Sequence, residues 1–90
     1  MTAPLTLADF APRLNQSFSA GRVKLRLVEA SPLPDAGREG GSFRLEFEGP
    51  ADAALAQGIH AFEIGGAAHD VFIVPVAARD GAISYEAIFY

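Results

Sequence analysis

Apolar residues recur along the chain with two different periods, and the change between them divides it. Near the start, Leu7, Phe10 and Leu14 are spaced as on one face of a helix. Thr6 stands three residues before Asp9, the spacing of a capping box with Asp in place of the usual Glu. Pro12 lacks an N–H and disfavours helix at Ala11. The pattern over 1–16 therefore predicts a short helix, or two single turns, that lays Leu7, Phe10 and Leu14 over one end of a sheet. From Phe18 onward the period is two, which puts alternate side chains on opposite faces of a strand. Over 22–29, Val23, Leu25 and Leu27 share one face; Arg22, Lys24 and Arg26 share the other, with Val28 an exception among them. Over 42–48, Phe43, Leu45 and Phe47 alternate with Arg44, Glu46 and Glu48. Both segments read as half-buried antiparallel strands with one wet face.

Turn signals set the remaining elements. The Pro- and Gly-rich stretch 31–41 predicts an exposed loop. Gly49-Pro50 ends the strand before it, 52–57 predicts one helical turn stopped by Gly58, and 59–64 a strand ending at Gly65-Gly66. The run 71–76 is apolar on both faces and predicts a strand covered on each side, the second face by the N-terminal helical segment. Pro75 cannot donate to a ladder, which places it at a bulge or at the strand's end. Asp80-Gly81 predicts a tight hairpin. In the strand that follows, Ile83, Tyr85, Ala87 and Phe89 share one face, while Ile88 and Tyr90 lie on the other, under the N-terminal helix or in a subunit contact. The sum is a single mainly β domain over 1–90, with a β-domain at 17–90. Its five or six antiparallel strands form a meander closed into a small barrel or folded into a sandwich, after a short N-terminal helix. A barrel this small is filled by its own side chains, which argues against a lipid carrier.

Composition narrows the picture. Half the residues are apolar, with seven Phe and two Tyr, which is the composition of a folding chain rather than a disordered one. The lack of cysteine excludes disulfides, thiolate zinc sites and thiol nucleophiles. A net charge of −4 argues against nucleic acid as a partner. The start of the chain has no basic region followed by a long apolar run, and no segment approaches the roughly 20 apolar residues that span a bilayer. A cytoplasmic protein without membrane insertion is the expectation.

Candidate chemistry is sparse. His60 and His69 flank the Gly65-Gly66 turn, so a hairpin could make them neighbours, with Glu63 and Asp70 the nearby carboxylates; the spacing matches no established zinc signature, and surface histidines are the simpler reading. No serine stands in a Gly-x-Ser-x-Gly elbow, and Glu46 and Glu48 are two apart on one wet strand face. The Gly-rich 37–41 stretch lacks the Lys-Ser/Thr of a phosphate loop. These absences predict no enzyme, no cofactor and no metal. The basic stripe Arg22, Lys24 and Arg26 is expected to lie beside Glu46 and Glu48 on the next strand, where opposite charges favour the correct register. The alternative for that stripe is a binding patch, and together with Ile88 and Tyr90 it forms the candidate interaction surface.

Several stretches taken in order, Leu5-Thr6-Leu7-Ala8-Asp9-Phe10, Phe43-Arg44-Leu45-Glu46-Phe47-Glu48-Gly49-Pro50, Leu55-Ala56-Gln57-Gly58, Val71-Phe72-Ile73-Val74-Pro75-Val76 and Tyr85-Glu86-Ala87-Ile88-Phe89, resemble a small uncharacterised bacterial domain family. The chain departs from it in Ile59-His60, where the family has an aromatic, and in Tyr90, where the family ends in Asn. The resemblance implies no catalytic residue; it implies an accessory or assembly role beside phage-tail-like or tail-fibre collar proteins. The leading expectation is a non-catalytic structural or protein-interaction module, with a protein partner or self-association. The alternative is a small-ligand-binding β-domain using a cleft near the 31–41 loop and His60.

Overall fold

The computed structural model describes residues 5–34 and 42–89. Tyr90 and most of the loop expected at 31–41 lie outside the described residues. Among the described residues there are six strands: β1 (Ser17–Ala20), β2 (Val23–Pro32), β3 (Phe43–Pro50), β4 (Gly58–Ile64), β5 (Ala67–Arg79) and β6 (Ala82–Phe89). All neighbours are antiparallel, and the sheet closes in the order β1-β2-β3-β6-β5-β4. This is a barrel, as one of the two expected forms, but its order is not a plain meander. Two three-stranded meanders are joined by a crossover between β3 and β4, and a single bridge, Ala20 opposite Phe62, closes the seam between β1 and β4.

The crossover explains why the helical turn expected at 52–57 is cut short. Only Ala51–Ala53 forms a 3₁₀ turn, and the chain runs extended from Ala54. A helix advances about 1.5 Å per residue and an extended chain about 3.3 Å, so a short link reaches across a barrel end only if most of it is extended. Crossing there, the link packs Leu55 against the core, and the Leu55 N–H donates to the buried Tyr85 hydroxyl at 2.9 Å.

The opposite end is closed by the N-terminal segment. Its two 3₁₀ turns are Leu7–Asp9 and Ala11–Arg13; the Asp9 carboxylate accepts from the Thr6 N–H at 2.8 Å and from its hydroxyl at 3.2 Å. Phe10 is fully buried, with ring centroids 6.1 Å from Phe18, 5.8 Å from Phe43 and 6.1 Å from Phe89. Leu14, expected beside it, is exposed instead. It follows the second turn in an extended conformation, and Asn15 adopts φ 69°, swinging the chain toward β1 so that the Asn15 N–H reaches the Leu27 carbonyl.

From Phe10 the aromatic contacts continue: Phe43 stacks on Phe89 at 4.5 Å, Phe18 meets Phe47 at 5.9 Å, and Phe47 meets Phe62 at 5.1 Å. Six of the seven phenylalanines thus form one run through the barrel, joined by Leu25, Leu27, Leu45, Val71, Ile73 and Tyr85. Each such side chain withdrawn from water is worth about 1.5–3 kcal/mol. Gly49 faces this core; a Cβ there would collide with Leu25 Cδ2, so the absence of a side chain is what lets β3 approach β2.

Two bulges set the faces. At Val28 the register slips, so that Leu27 opposes Phe47 but Glu29 opposes Glu46. Unbroken alternation would have turned Glu29 inward after Leu27. The extra residue turns it out and brings Ala30 and Pro32 to the inner face, extending β2 three residues beyond the expected end of the strand. The second bulge falls between Pro75 and Ala77, as expected from Pro75's missing donor. Asp80 and Gly81, both at positive φ, make the tight turn between β5 and β6.

Candidate functional surface

The outer wall made by β2, β3 and β6 carries the ion pairs found among the described residues. Arg26 lies opposite Glu48, as the stripe argument expects, and its guanidinium reaches Glu48 Oε1 at 3.1 Å and Asn15 Oδ1 at 3.2 Å. The rest of that expectation fails. Lys24 is paired with Ser19 of β1, and Arg22 precedes β2 in the turn after Gly21. The slip at Val28 gives Glu46 a different set of neighbours: Glu29 on one side and Glu86 on the other, three carboxylates in a row across three strands.

Arg44 makes that row tolerable. Its Nη1 donates to Glu29 at 2.7 Å, its Nη2 to Glu46 at 2.9 Å, and its Nε to Glu86. The bonds to Glu86 and then Glu46 raise the Arg44 pKa above the ordinary arginine value, against a smaller opposing effect of burial. Arg44 was legible only as one polar position in an alternating strand; its role depends on partners 15 and 42 residues away.

Ile88 lies opposite Arg44 on this outer wall, while the N-terminal turns cover Phe89 on the inner face. It is thus not under the N-terminal segment. Arg22, Lys24, Arg26 and Ile88 are not brought together: Arg22 is at the β1–β2 turn, whereas Ile88 is two strands from β2 and beside the opposite barrel end.

The β4–β5 hairpin differs. Its register puts His60 opposite Val71 and His69 opposite Phe62, on the core-facing side, while Asp70 opposes Ala61 and Glu63 opposes Ala68 on the outer side. The histidines and the nearby carboxylates therefore occupy different faces. Among the described residues no three His, Asp or Glu gather as a metal-binding group. His60 Nε2 donates to the Ala56 carbonyl at 2.8 Å, which ties the ring to the crossover link. The roots of the 31–41 loop, Pro32 paired with Phe43, are at the other end, so loop and His60 do not line one cleft. No cavity opens among the described residues.

On the outer side of this hairpin, Ile59 and Phe72 oppose each other at 67% and 51% exposure. Val74 follows on the same face, and Val76 is half exposed at the bulge. The expectation that 71–76 is covered on both faces is therefore wrong. The N-terminal segment that was to cover it is committed to the barrel end by Phe10. Among the described residues four large apolar side chains are exposed, and three of them belong to this hairpin. Among the described residues no helix is long and apolar enough to cross a membrane.

A family model described as a domain of unknown function, DUF6916, matches residues 5–89, and the chain belongs to that family. No curated protein and no solved structure matches the chain.

Proposed function

We propose that this member of the family is a non-catalytic interaction module that engages a macromolecular partner through the outer face of its β4–β5 hairpin. The observation that carries the reading is the position of Phe72: six phenylalanines build the core, and the seventh stands half exposed against Ile59. Clustered apolar side chains on an otherwise polar surface are characteristic of contact sites, whereas isolated ones are ordinary. The filled interior favours a binding surface over a ligand chamber. A place as an accessory of a phage-tail-like assembly is the narrower form of this reading and rests on the sequence resemblance alone.

Site-specific photocrosslinking tests it. A benzoyl-phenylalanine at position 72 should give a discrete adduct in the native host, and the same probe at position 24 should not. A folded monomer that gives no adduct from position 72 while turning over a small molecule would overturn the proposal.

A further inference from the structure

Resting on the interaction reading, we infer that the partner's contact segment is apolar at its centre and bordered by lysine or arginine. The argument comes from what surrounds the exposed pair. Asp70 lies two residues before Phe72 on the same outer face, opposite Ala61; Glu63 lies two residues beyond Ala61 on that face, opposite Ala68. Among the described residues neither carboxylate forms an ion pair, so both keep their charge available to a partner. On the other flank, Val74 stands opposite Glu86, whose row of three glutamates shares the single cation of Arg44. Carboxylates thus border the apolar strip at its Gly65-Gly66 end and along β6, while the one cation on its outer face among the described residues of β5, Arg79, stands at the far end opposite Ala82.

Charge borders of one sign select partners more than they add affinity, because they steer the opposite charge in and disfavour the like charge. A second copy of the chain would bring an equally acidic border against this one, and an anionic lipid surface would be repelled for the same reason. A segment with branched or aromatic side chains flanked by cations satisfies both parts of the surface.

A displayed library of random 12-residue peptides, selected against the full chain, reads this directly. The recovered peptides should be enriched in Leu, Ile, Phe and Val next to Lys or Arg and depleted of Asp and Glu. Their binding should fall about tenfold or more on Phe72→Ser and on raising salt. The double variant Glu63→Lys/Asp70→Lys, altered only at exposed positions, should reverse the charge preference. Peptides that depend on Phe72 but show no basic bias would overturn the inference and leave the interaction surface standing. Peptides indifferent to Phe72→Ser, or no enrichment at all, would overturn both. Concentration-dependent dimerisation abolished by Phe72→Ser would overturn the inference in favour of a second copy.

Discussion

Two walls of one barrel treat their outer faces in opposite ways. On β2, β3 and β6 the outward side chains answer one another: Arg26 holds Glu48, and Arg44 holds Glu29, Glu46 and Glu86. On β4 and β5 the outward side chains form no ion pair among the described residues: Ile59 and Phe72 stand opposite each other and more than half exposed, and Glu63 and Asp70 have no cation partner. Both walls rest on the same aromatic interior, so stability does not explain the difference. The charged wall is specified from within. The apolar wall leaves Ile59 and Phe72 in water, and that is why the proposed contact is placed there.

The comparison can be broken first at the shared interior. Phe47 touches both Phe18 and Phe62, so Phe47→Ala should cost about 3–5 kcal/mol, with both walls melting in one transition. Two separate transitions, followed by probes on β3 and on β5, would show that the walls are independent units. Next is the hub of the charged wall. Arg44→Met leaves three aligned glutamates without their cation and should cost about 1–2 kcal/mol, a figure reduced for the partial exposure of the carboxylates. Urea titrations should show that gap narrowing as salt rises, because screening weakens the exposed repulsion. The sign of the pH dependence follows from the raised pKa. The contribution of Arg44 is fully present below the ordinary arginine range and is lost only as pH rises through the folded value, so it is constant from about pH 6 to about pH 9.

A smaller effect separates the observed register from the one the charge stripes suggest. A double-mutant cycle on Arg26 and Glu48 should give a coupling of about 0.2–1 kcal/mol, and the same cycle on Lys24 and Glu46 should give none within error. Equal couplings would contradict the pairing of Arg26 with Glu48. The smallest effect is expected at the most conspicuous residue: Phe72→Ser should change stability by no more than about 0.5 kcal/mol, in contrast to Phe47, because its ring is already half in water. A loss comparable with that of Phe47→Ala would mean that Phe72 belongs to the core.

Much of the fold was legible because it is written locally. Alternation marked β2, β3 and β6, the Asp80-Gly81 turn located a hairpin, and Pro75 announced its bulge by the donor it lacks. What was not legible depends on distant chain. Val28 broke the alternation visibly, yet only the pairing with β3 reveals that this residue turns Glu29 outward and sets it, in place of Val28 itself, opposite Glu46. The neighbouring of β3 and β6 depends on a crossover whose local pattern looked like one more helical turn. The candidate surface was misread for a related reason. A strand apolar on both faces has the same pattern whether its second face is covered by its own chain or left for another molecule, and 71–76 was assigned to the first case. Phe10, bound to the barrel end, removes that cover.

The most direct test of the difference between the walls is a ¹H–¹⁵N NMR titration of the full chain with a peptide recovered from the library selection. Shifts confined to outward positions of the β4–β5 hairpin, led by Ile59, Asp70, Phe72 and Val74, with Arg26, Arg44 and Glu46 unmoved, are the predicted result. Shifts centred on the Arg44 network, with Phe72 silent, would contradict it.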